Sequence, residues 1–326
     1  MRVSAVANET ETILLRRIFI TGLNMKTWVA LTLVLLLTNF NDVAAKESFV
    51  VSYRDHRGAH DVKVERKNDF YYEFKVGEKH LELATLDWSP YISSQACEHG
   101  WVFQSAVALL HSIGYGASIR FYPWVRSVSQ VESGKADILF PEYFIEPEAP
   151  SDIFTGTRRL DHLYLSKSFG WGPIAFMSRA DFSAQVYKGD FKNLVNEHIG
   201  VVRGYQNTPE FDRLMDKGEF SIVTAKSDLH NVDLLMNNRV NMIIGDPEVI
   251  VSEIKQSGRD EAEIKRLLAS IKVVDPIIQM NALFFAISKR TAKSDELLVE
   301  LNQAIEQFKE YGIIDEIRYR INKTCQ

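Results

Sequence analysis

The chain has 326 residues, of which 46% are apolar and 25% charged, and its formal net charge is −5. This is the composition of an ordinary globular protein, and the chain is long enough for two domains of about 100 to 150 residues. It has no block of Lys and Arg, so a nucleic-acid-binding surface is not expected. The eight histidines are scattered and are interpreted as surface or core residues. We therefore expect no metal and no other cofactor.

The N-terminal region has the three parts of a secretory signal peptide. Met25-Lys26-Thr27 is followed by the apolar run WVALTLVLLL (28–37) and by the small residues Val43-Ala44-Ala45. The run is too short for a membrane span, which needs about 20 residues. We expect residues 1–45 to be an export signal cleaved near Ala45, with translation starting at Met25, and the mature chain to be periplasmic without a membrane span. An alternative, a twin-arginine signal at Arg16-Arg17, would also export the chain.

Two cysteines, Cys97 and Cys325, follow the signal. In an oxidising compartment they could form a disulfide that ties the C-terminal tail to a loop of the first lobe. The alternative is a pair of free thiols, because a sequence gives no distance between the two side chains.

The first 35 residues after the signal are polar and alternating, which predicts two or three short strands or a hairpin at 46–80, before the main fold. The main fold is expected to begin at Leu81 with the strand LELATL. A helix is predicted over Trp101–Tyr115, and ASIRFYPW reads as the next strand. Strand, helix and strand in this order predict a parallel sheet.

A helix–turn–strand pattern occurs twice, as SVSQVESGKADILFPE (127–142) and NVDLLMNNRVNMIIGDPE (231–248). Gly134 and Asn238 occupy equivalent turns, and both residue types readily adopt a positive φ after a helix. Each turn precedes a short apolar run typical of a buried strand. We expect strands 137–141 and 241–245 to lie in separate sheets, with Glu142 and Asp246 facing each other across a cleft.

These segments resemble the periplasmic solute-binding proteins of the amino-acid-type (family 3) class of ABC transporters. The resemblance rests on DWSPY, GYGASIRFYPWVRSVSQVESGKADILFPE, IGVVRGYQNTPEF, NNRVNMIIGDPEV and the C-terminal ALFFAISKRTAKSDELLVELNQAIEQFKEYGIIDEI, and it covers about residues 81–322. It implies an α/β, two-lobe periplasmic-binding-protein-like fold (type II), each lobe a mostly parallel sheet flanked by helices, joined by two hinge segments. Lobe I would comprise 81–171 and 280–326, lobe II 172–279, and a C-terminal helix at Ser294–Tyr311 would pack on lobe I.

The resemblance also assigns a role to Asp246. In this family an acidic residue after the corresponding lobe II strand receives the ligand's ammonium group. A carboxylate at a strand end facing a cleft suits a cation on physical grounds as well. The alternative is that Asp246 caps the helix that begins at Pro247, since Asp-Pro is a favourable helix start.

The sequence departs from the family on the side of the ligand's carboxylate. Family members carry an arginine where this chain has Ala149, so an ordinary α-amino acid would lack its usual bidentate partner. Arg203 could replace it in part, because it precedes a helix start near Thr208, where free N–H groups attract anions. A solvated surface charge is the alternative for Arg203, and Arg126 is expected to be structural.

Aromatic residues at predicted strand ends complete the cleft, where rings can hold apolar or cationic groups. Trp124 is instead expected to pack against the lobe I sheet. The candidate ligand-binding residues are Asp87, Trp88, Tyr91, Glu142, Tyr143, Arg203, Tyr205, Gln206 and Asp246.

The expected function is binding of a small polar solute in the interlobe cleft with hinge closure, for transport or sensing. A monomer is expected, with a membrane transporter or receptor as its partner. The alternative is an enzyme on the same scaffold, dehydratase- or lyase-like, with Glu142 as candidate general acid. Binding is favoured because the sequence has no Ser-His-Asp order, GxSxG turn or Gly-rich phosphate loop.

Overall fold

The computed structural model describes residues 48–151, 153–182, 187–195 and 197–325. The predicted export signal at 1–45 lies outside these residues. Within the described ranges, no helix is long and apolar enough to cross a membrane.

The elements alternate between strands and helices along most of the chain. The strands are β1 (Ser48–Asp55), β2 (Gly58–Asn68), β3 (Tyr71–Phe74), β4 (Lys79–Thr85), β5 (Tyr115–Phe121), β6 (Ile138–Glu142), β7 (Leu163–Leu165), β8 (Gly170–Arg179), β9 (His198–Val202), β10 (Ser221–Ala225), β11 (Met242–Gly245) and β12 (Ile271–Ser288). The helices are α1 (Trp101–Ser112), α2 (Trp124–Glu132), α3 (Arg159–His162), α4 (Pro209–Asp216), α5 (Asp228–Met236), α6 (Pro247–Lys255), α7 (Glu261–Ser270), α8 (Ser294–Glu310) and α9 (Ile313–Thr324).

Two lobes, each with its own core and its own part of one continuous sheet, make up the predicted α/β fold. The strand order is β1-β2-β3-β5-β4-β6 in lobe I and β8-β11-β9-β10 in lobe II, and β12 runs between them. The middle of each lobe is parallel, as β5-β4-β6 and as β11-β9-β10, while the flanking pairs are antiparallel. The carboxyl ends of the parallel strands therefore point toward the space between the lobes.

The two crossing strands, β8 and β12, pair with each other. Gly172 lies opposite Asn281, and after Leu283 the long strand β12 leaves β8 and pairs with β6. The prediction that β6 and β11 belong to separate sheets is thus wrong. Both strands belong to one hydrogen-bonded sheet, in which β12 and β8 lie between them. The reason is that both crossing segments are extended, so their N–H and C=O groups satisfy each other at the hinge.

The repeated helix–turn–strand pattern is confirmed. Gly134 and Asn238 both have positive φ, 72° and 57°. After each turn a backbone N–H reaches the neighbouring strand: Asp137 N donates to Glu82 O at 2.6 Å, and Asn241 N donates to His198 O at 2.8 Å. The turn therefore sets the register of β6 and β11 at the start of each strand.

The N-terminal strands β1 to β3 extend the lobe I sheet. Strand β3 pairs antiparallel with β5, and Val51, Val64 and Tyr72 are buried in the lobe I core. The alternation seen in the sequence thus reflects one face packed inward and one exposed.

Helix α8 packs on lobe I, as the resemblance implied. Leu297, Leu301, Ile305 and Phe308 recur at helical spacing and are buried in the same core as α1. The following helix, α9, ends at Thr324, and the next residue, Cys325, forms a disulfide with Cys97 across a Cα–Cα distance of 5.7 Å. Of the two alternatives for the cysteines, the structure has the bridge.

Candidate functional site

Asp246 lies at the boundary between the lobes, at the end of β11. Its Oδ1 accepts hydrogen bonds from the backbone N–H groups of Glu248, at 2.7 Å, and Val249, at 3.4 Å, at the start of α6. Its Oδ2 accepts a hydrogen bond from the hydroxyl of Tyr91 in lobe I, at 2.8 Å. One carboxylate thus caps a helix with one oxygen and reaches the opposite lobe with the other.

Gly172 on the crossing strand β8 makes this approach possible. A Cβ atom at Gly172 would lie 2.8 Å from the Tyr91 hydroxyl, 2.9 Å from Asp246 Oδ2 and 3.0 Å from the Tyr143 hydroxyl. These three polar groups therefore converge on the hinge backbone, and we name Tyr91, Tyr143 and Asp246 the Gly172 cluster. The Tyr143 hydroxyl oxygen is fully buried and has no hydrogen-bond partner among the described residues.

Burial dominates the electrostatics of the Gly172 cluster. Desolvation raises the pKa of Asp246 to about 7, although the hydrogen bond from Tyr91 opposes the shift. Desolvation and the nearby Asp246 charge raise the pKa of both tyrosines well above the usual value. A cation placed beside Asp246 would stabilise its ionised form and so bind most strongly where that form is populated.

A small apolar cavity lies beside the Gly172 cluster. We name it the inner cavity; its volume is about 30 Å³, and it is lined by Leu86, Trp88, Trp124, Pro141, Glu142, Tyr143, Tyr205, Gln206 and Leu283. Trp88 and Tyr143 pack perpendicular to each other with ring centroids 5.4 Å apart, and Trp124 and Tyr205 do so at 6.0 Å. The cavity is therefore walled by rings from both lobes.

A larger groove opens next to the inner cavity. This outer groove has a volume of about 740 Å³, within the usual range for ligand sites. Three acidic side chains line it: Asp87 from lobe I, and Asp228 and Glu253 from lobe II. Arg126 and Lys226 are the basic residues of this lining.

The carboxyl groups of the outer groove interact with one another. Burial raises the pKa of Asp228 to about 6, against the effect of a 2.9 Å hydrogen bond donated by the Tyr205 hydroxyl. Burial, together with the charges of Asp228 and Asp87, raises the pKa of Glu253 to about 7. Like charges held this close favour a cationic partner.

Eight of the nine candidate residues border the space between the lobes. Trp88, Glu142, Tyr143, Tyr205 and Gln206 line the inner cavity, and Asp87 lines the outer groove. Tyr91 and Asp246 meet at Gly172.

Arg203 is not brought into either cavity. Its side chain is exposed, and its backbone N–H donates to Ala225 O at 2.9 Å. The proposal that Arg203 binds the ligand's carboxylate therefore has no support in the geometry of the two cavities.

Ala149 lies in the lobe I core, and an arginine lies close to it. The backbone N–H of Arg159 donates to Ala149 O at 2.8 Å. Its guanidinium is buried and lies 3.8 Å from a Glu132 carboxylate oxygen, which is also buried. Neither Ala149 nor Arg159 lines the inner cavity or the outer groove, so this arginine does not replace the missing carboxylate anchor.

Three residues of the site were missed or misread in the sequence. Trp124 does pack against the lobe I core, as expected, but its Nε1 also donates to Gly204 O of lobe II at 3.0 Å and its ring lines both cavities. Asp228 follows strand β10, so the strand-end argument applied to Asp246 could have found it. Glu253 lies in the middle of α6 and carries no such signal.

A second groove borders the interlobe contact on the disulfide side, with a volume of about 650 Å³. Here Ser89 of lobe I accepts hydrogen bonds from the Ser252 hydroxyl of α6 and from the side chain of Gln256, which follows α6, both at 2.8 Å. Separation of the lobes on this side would break these bonds. Among the described residues there is no group of His, Cys, Asp and Glu able to hold a metal ion.

The fold of this chain is similar to that of several solved structures. No protein-family model and no curated protein matches the chain. Among solved structures, it is similar to a histidine kinase sensor domain with similarity to periplasmic binding proteins, with 15% identity, a TM-score of 0.59, and coverage of 74% of this chain and 95% of that one. It is also similar to an arginine transport system periplasmic binding protein from Legionella pneumophila (12% identity, TM-score 0.58, 75% and 100% covered).

An ancestral arginine-binding protein bound to arginine is similar over the same extent, with 17% identity, a TM-score of 0.57 and coverage of 74% and 98%. The chain therefore has the two-lobe fold of periplasmic binding proteins. At these identities, the similarity concerns the fold alone.

Proposed function

We propose that this chain is an extracytoplasmic solute-binding protein that holds a small cationic or neutral polar solute between its lobes, for transport or sensing. The observation that carries the proposal is the set of buried or grouped carboxyl groups facing the interlobe space: Asp246 at the Gly172 cluster, and Asp87, Asp228 and Glu253 in the outer groove. Because the inner cavity has no arginine in its lining, an α-carboxylate would find no bidentate partner there.

Hinge closure fits the contacts between the lobes. The bond from Tyr91 to Asp246 and the bond from Trp124 to Gly204 each join lobe I to lobe II. A ligand that contacts both lobes shifts the open–closed equilibrium by its differential affinity for the closed state. Residues 81–171 and 280–326, together with the strands β1 to β3 that extend their sheet, would move as lobe I, and 172–279 would move as lobe II, about the paired strands β8 and β12.

Export is supported by the signal-like sequence at 25–45 and by the disulfide between Cys97 and Cys325, since such bonds persist in oxidising compartments. The protein would act as a monomer and pass its ligand to an ABC transporter or report it to a membrane receptor. The solved structures of similar fold include a binding protein of a transport system and a histidine kinase sensor domain, which supports either kind of partner.

Binding is favoured over catalysis. The enzyme alternative needs Glu142 as a general acid, but Glu142 is only 1% exposed and faces a cavity with room for little more than a compact group. The similar solved structures described above are named as binding proteins or a sensor domain.

A thermal-shift screen tests the proposal, with amino acids, polyamines, quaternary amines, aromatic acids and short peptides as ligands. We expect cationic solutes without an α-carboxylate to raise the melting temperature most, and small-angle scattering with the best of them to show a smaller radius of gyration. Stabilisation by acidic amino acids, or binding without compaction, would contradict the proposal.

A further inference from the structure

We propose that the inner cavity is a cage for a quaternary or heavily N-methylated ammonium group. This inference rests on the proposed function and names the chemical class of the ligand. Four aromatic side chains and one buried carboxylate line a single small cavity: Trp88, Trp124, Tyr143, Tyr205 and Glu142. Rings around a cation attract it through their quadrupoles, and such cages recognise quaternary ammonium groups.

The rings are arranged in two perpendicular pairs. Trp88 and Tyr143 come from lobe I, at the carboxyl ends of β4 and β6, and form one pair with an interplanar angle of 84°. Trp124 and Tyr205 form the other pair, at 87°, and this pair joins the two lobes. Two perpendicular pairs give walls in several directions, which suits a rounded cation better than a flat one.

The polar groups of the inner cavity favour a cation without N–H donors. A primary ammonium carries three N–H donors that each need an acceptor once buried. Here two of the four side-chain acceptors of the lining are already engaged, because the Tyr205 hydroxyl donates to Asp228 at 2.9 Å and Gln206 Oε1 accepts from the Glu146 N–H at 3.4 Å. A quaternary ammonium needs no hydrogen bonds, and Glu142 is the acidic side chain in the lining of this cavity.

The size of the inner cavity agrees with a compact head group. One water needs about 10 to 15 Å³ of cavity volume. The inner cavity, with a volume of about 30 Å³, therefore has room for only a few waters. A whole amino acid would not fit, whereas a small head group would, with the rest of the ligand reaching into the outer groove. The remaining lining is apolar: Leu86, Pro141 and Leu283.

The cage is complete only when the lobes meet. Tyr205 and Gln206 belong to the lobe II loop after β9, and the other aromatic walls belong to lobe I. The bond from Trp124 Nε1 to Gly204 O holds this loop against lobe I. A cation in the cage would therefore stabilise the closed state directly.

Three isosteric or near-isosteric probes test the cage on the wild-type protein by calorimetry. Choline carries a trimethylammonium, 3,3-dimethyl-1-butanol has the same shape without charge, and ethanolamine has the charge with N–H donors. We expect choline to bind at least about threefold more tightly than either of the others, from the strength of a cation over a ring. Equal or tighter binding of ethanolamine, or equal binding of the neutral alcohol, would overturn the cage.

Variants then locate the site. Trp124→Leu should weaken choline binding about 2- to 30-fold, and Tyr143→Phe, which keeps the ring, should leave it within about twofold. The matched control is Trp171→Leu, because Trp171 is 48% exposed on β8 and lies outside the cavity. Unchanged affinity in a folded Trp124→Leu protein would overturn the proposal; if that variant does not fold, the three probes on the wild type decide.

The same titrations separate this inference from the proposed function. If choline does not bind but putrescine or agmatine binds and compacts the protein, the cage is wrong and solute binding stands. If neither choline nor any other cationic solute binds, both fail.

Discussion

Asp246 has two roles in the structure, and two substitutions separate them. As the cap of α6 it accepts backbone N–H groups through Oδ1, and across the lobes it accepts the Tyr91 hydroxyl through Oδ2. Asp246→Ala removes both, whereas Asp246→Asn keeps a side chain that caps helices about as well and removes only the charge.

The expected costs follow from the hydrogen bonds that each substitution removes. Loss of the cap costs about 1 kcal/mol, and leaving the buried Tyr91 hydroxyl without its acceptor costs about 1 to 3 kcal/mol. Relief of the carboxylate's desolvation offsets part of this, so we expect Asp246→Ala to lower the free energy of unfolding by about 1 to 4 kcal/mol. At pH 5, Asp246→Asn should stay within about 1 kcal/mol of the wild type, because its amide oxygen can still cap α6 while its amide N–H donates to the Tyr91 hydroxyl oxygen.

Urea unfolding followed by tryptophan fluorescence measures these differences, and calorimetry with the best cationic ligand measures binding. Asp246→Asn should bind at least about tenfold more weakly than the wild type at pH 7.5, since a charge-assisted interaction is removed. If the Asn variant binds the cation as tightly as the wild type, Asp246 is a helix cap only and the ligand's cation lies elsewhere.

Three further predictions concern the hinge, pH and the disulfide. Gly172→Ala should increase the radius of gyration of the unliganded protein in small-angle scattering, because the new Cβ would meet the Gly172 cluster. The control is Gly245→Ala, whose Cβ has its nearest contact at 3.4 Å and should leave the radius unchanged. Equal radii for the two variants would contradict this prediction. Burial raises the pKa of Asp246 above its unfolded value, so the stability it contributes is present below about pH 4 and lost as pH rises through about 7. The free energy of unfolding without ligand should therefore fall between pH 5 and pH 8 by about 1 to 3 kcal/mol more in the wild type than in Asp246→Asn, since the raised pKa values of Asp228 and Glu253 act in both proteins. Replacing Cys97 and Cys325 together by Ser should cost about 2 to 5 kcal/mol in urea unfolding with little change in ligand affinity, and unaltered stability would contradict the role of the bridge.

The architecture was predictable because it follows from local patterns. The turns at Gly134 and Asn238 needed positive φ, and the apolar runs after them became buried strands. The continuity of the sheet through β12 was not predictable, since periodicity identifies a strand but not its partners on each side of a hinge. That strand changes partner after Leu283 with no break in the chain.

The site was predictable at strand ends and not elsewhere. Asp246, Tyr91 and Tyr143 were found because the carboxyl ends of strands face the cleft. Glu253 enters the site from the middle of a helix, and its position depends on how α6 packs between the lobes. Arg203 shows the opposite case, because a residue near a strand end can be exposed and line neither cavity.

Calorimetric titration of agmatine, putrescine, choline, L-arginine and L-glutamate into the wild-type protein at pH 7.5 tests the central proposal most directly. The three amines carry a cation without an α-carboxylate, and agmatine differs from L-arginine only by that group. We expect at least one of the three amines to bind more tightly than either amino acid. Tightest binding of L-glutamate, or no binding of any amine, would contradict a cationic ligand in the interlobe cleft.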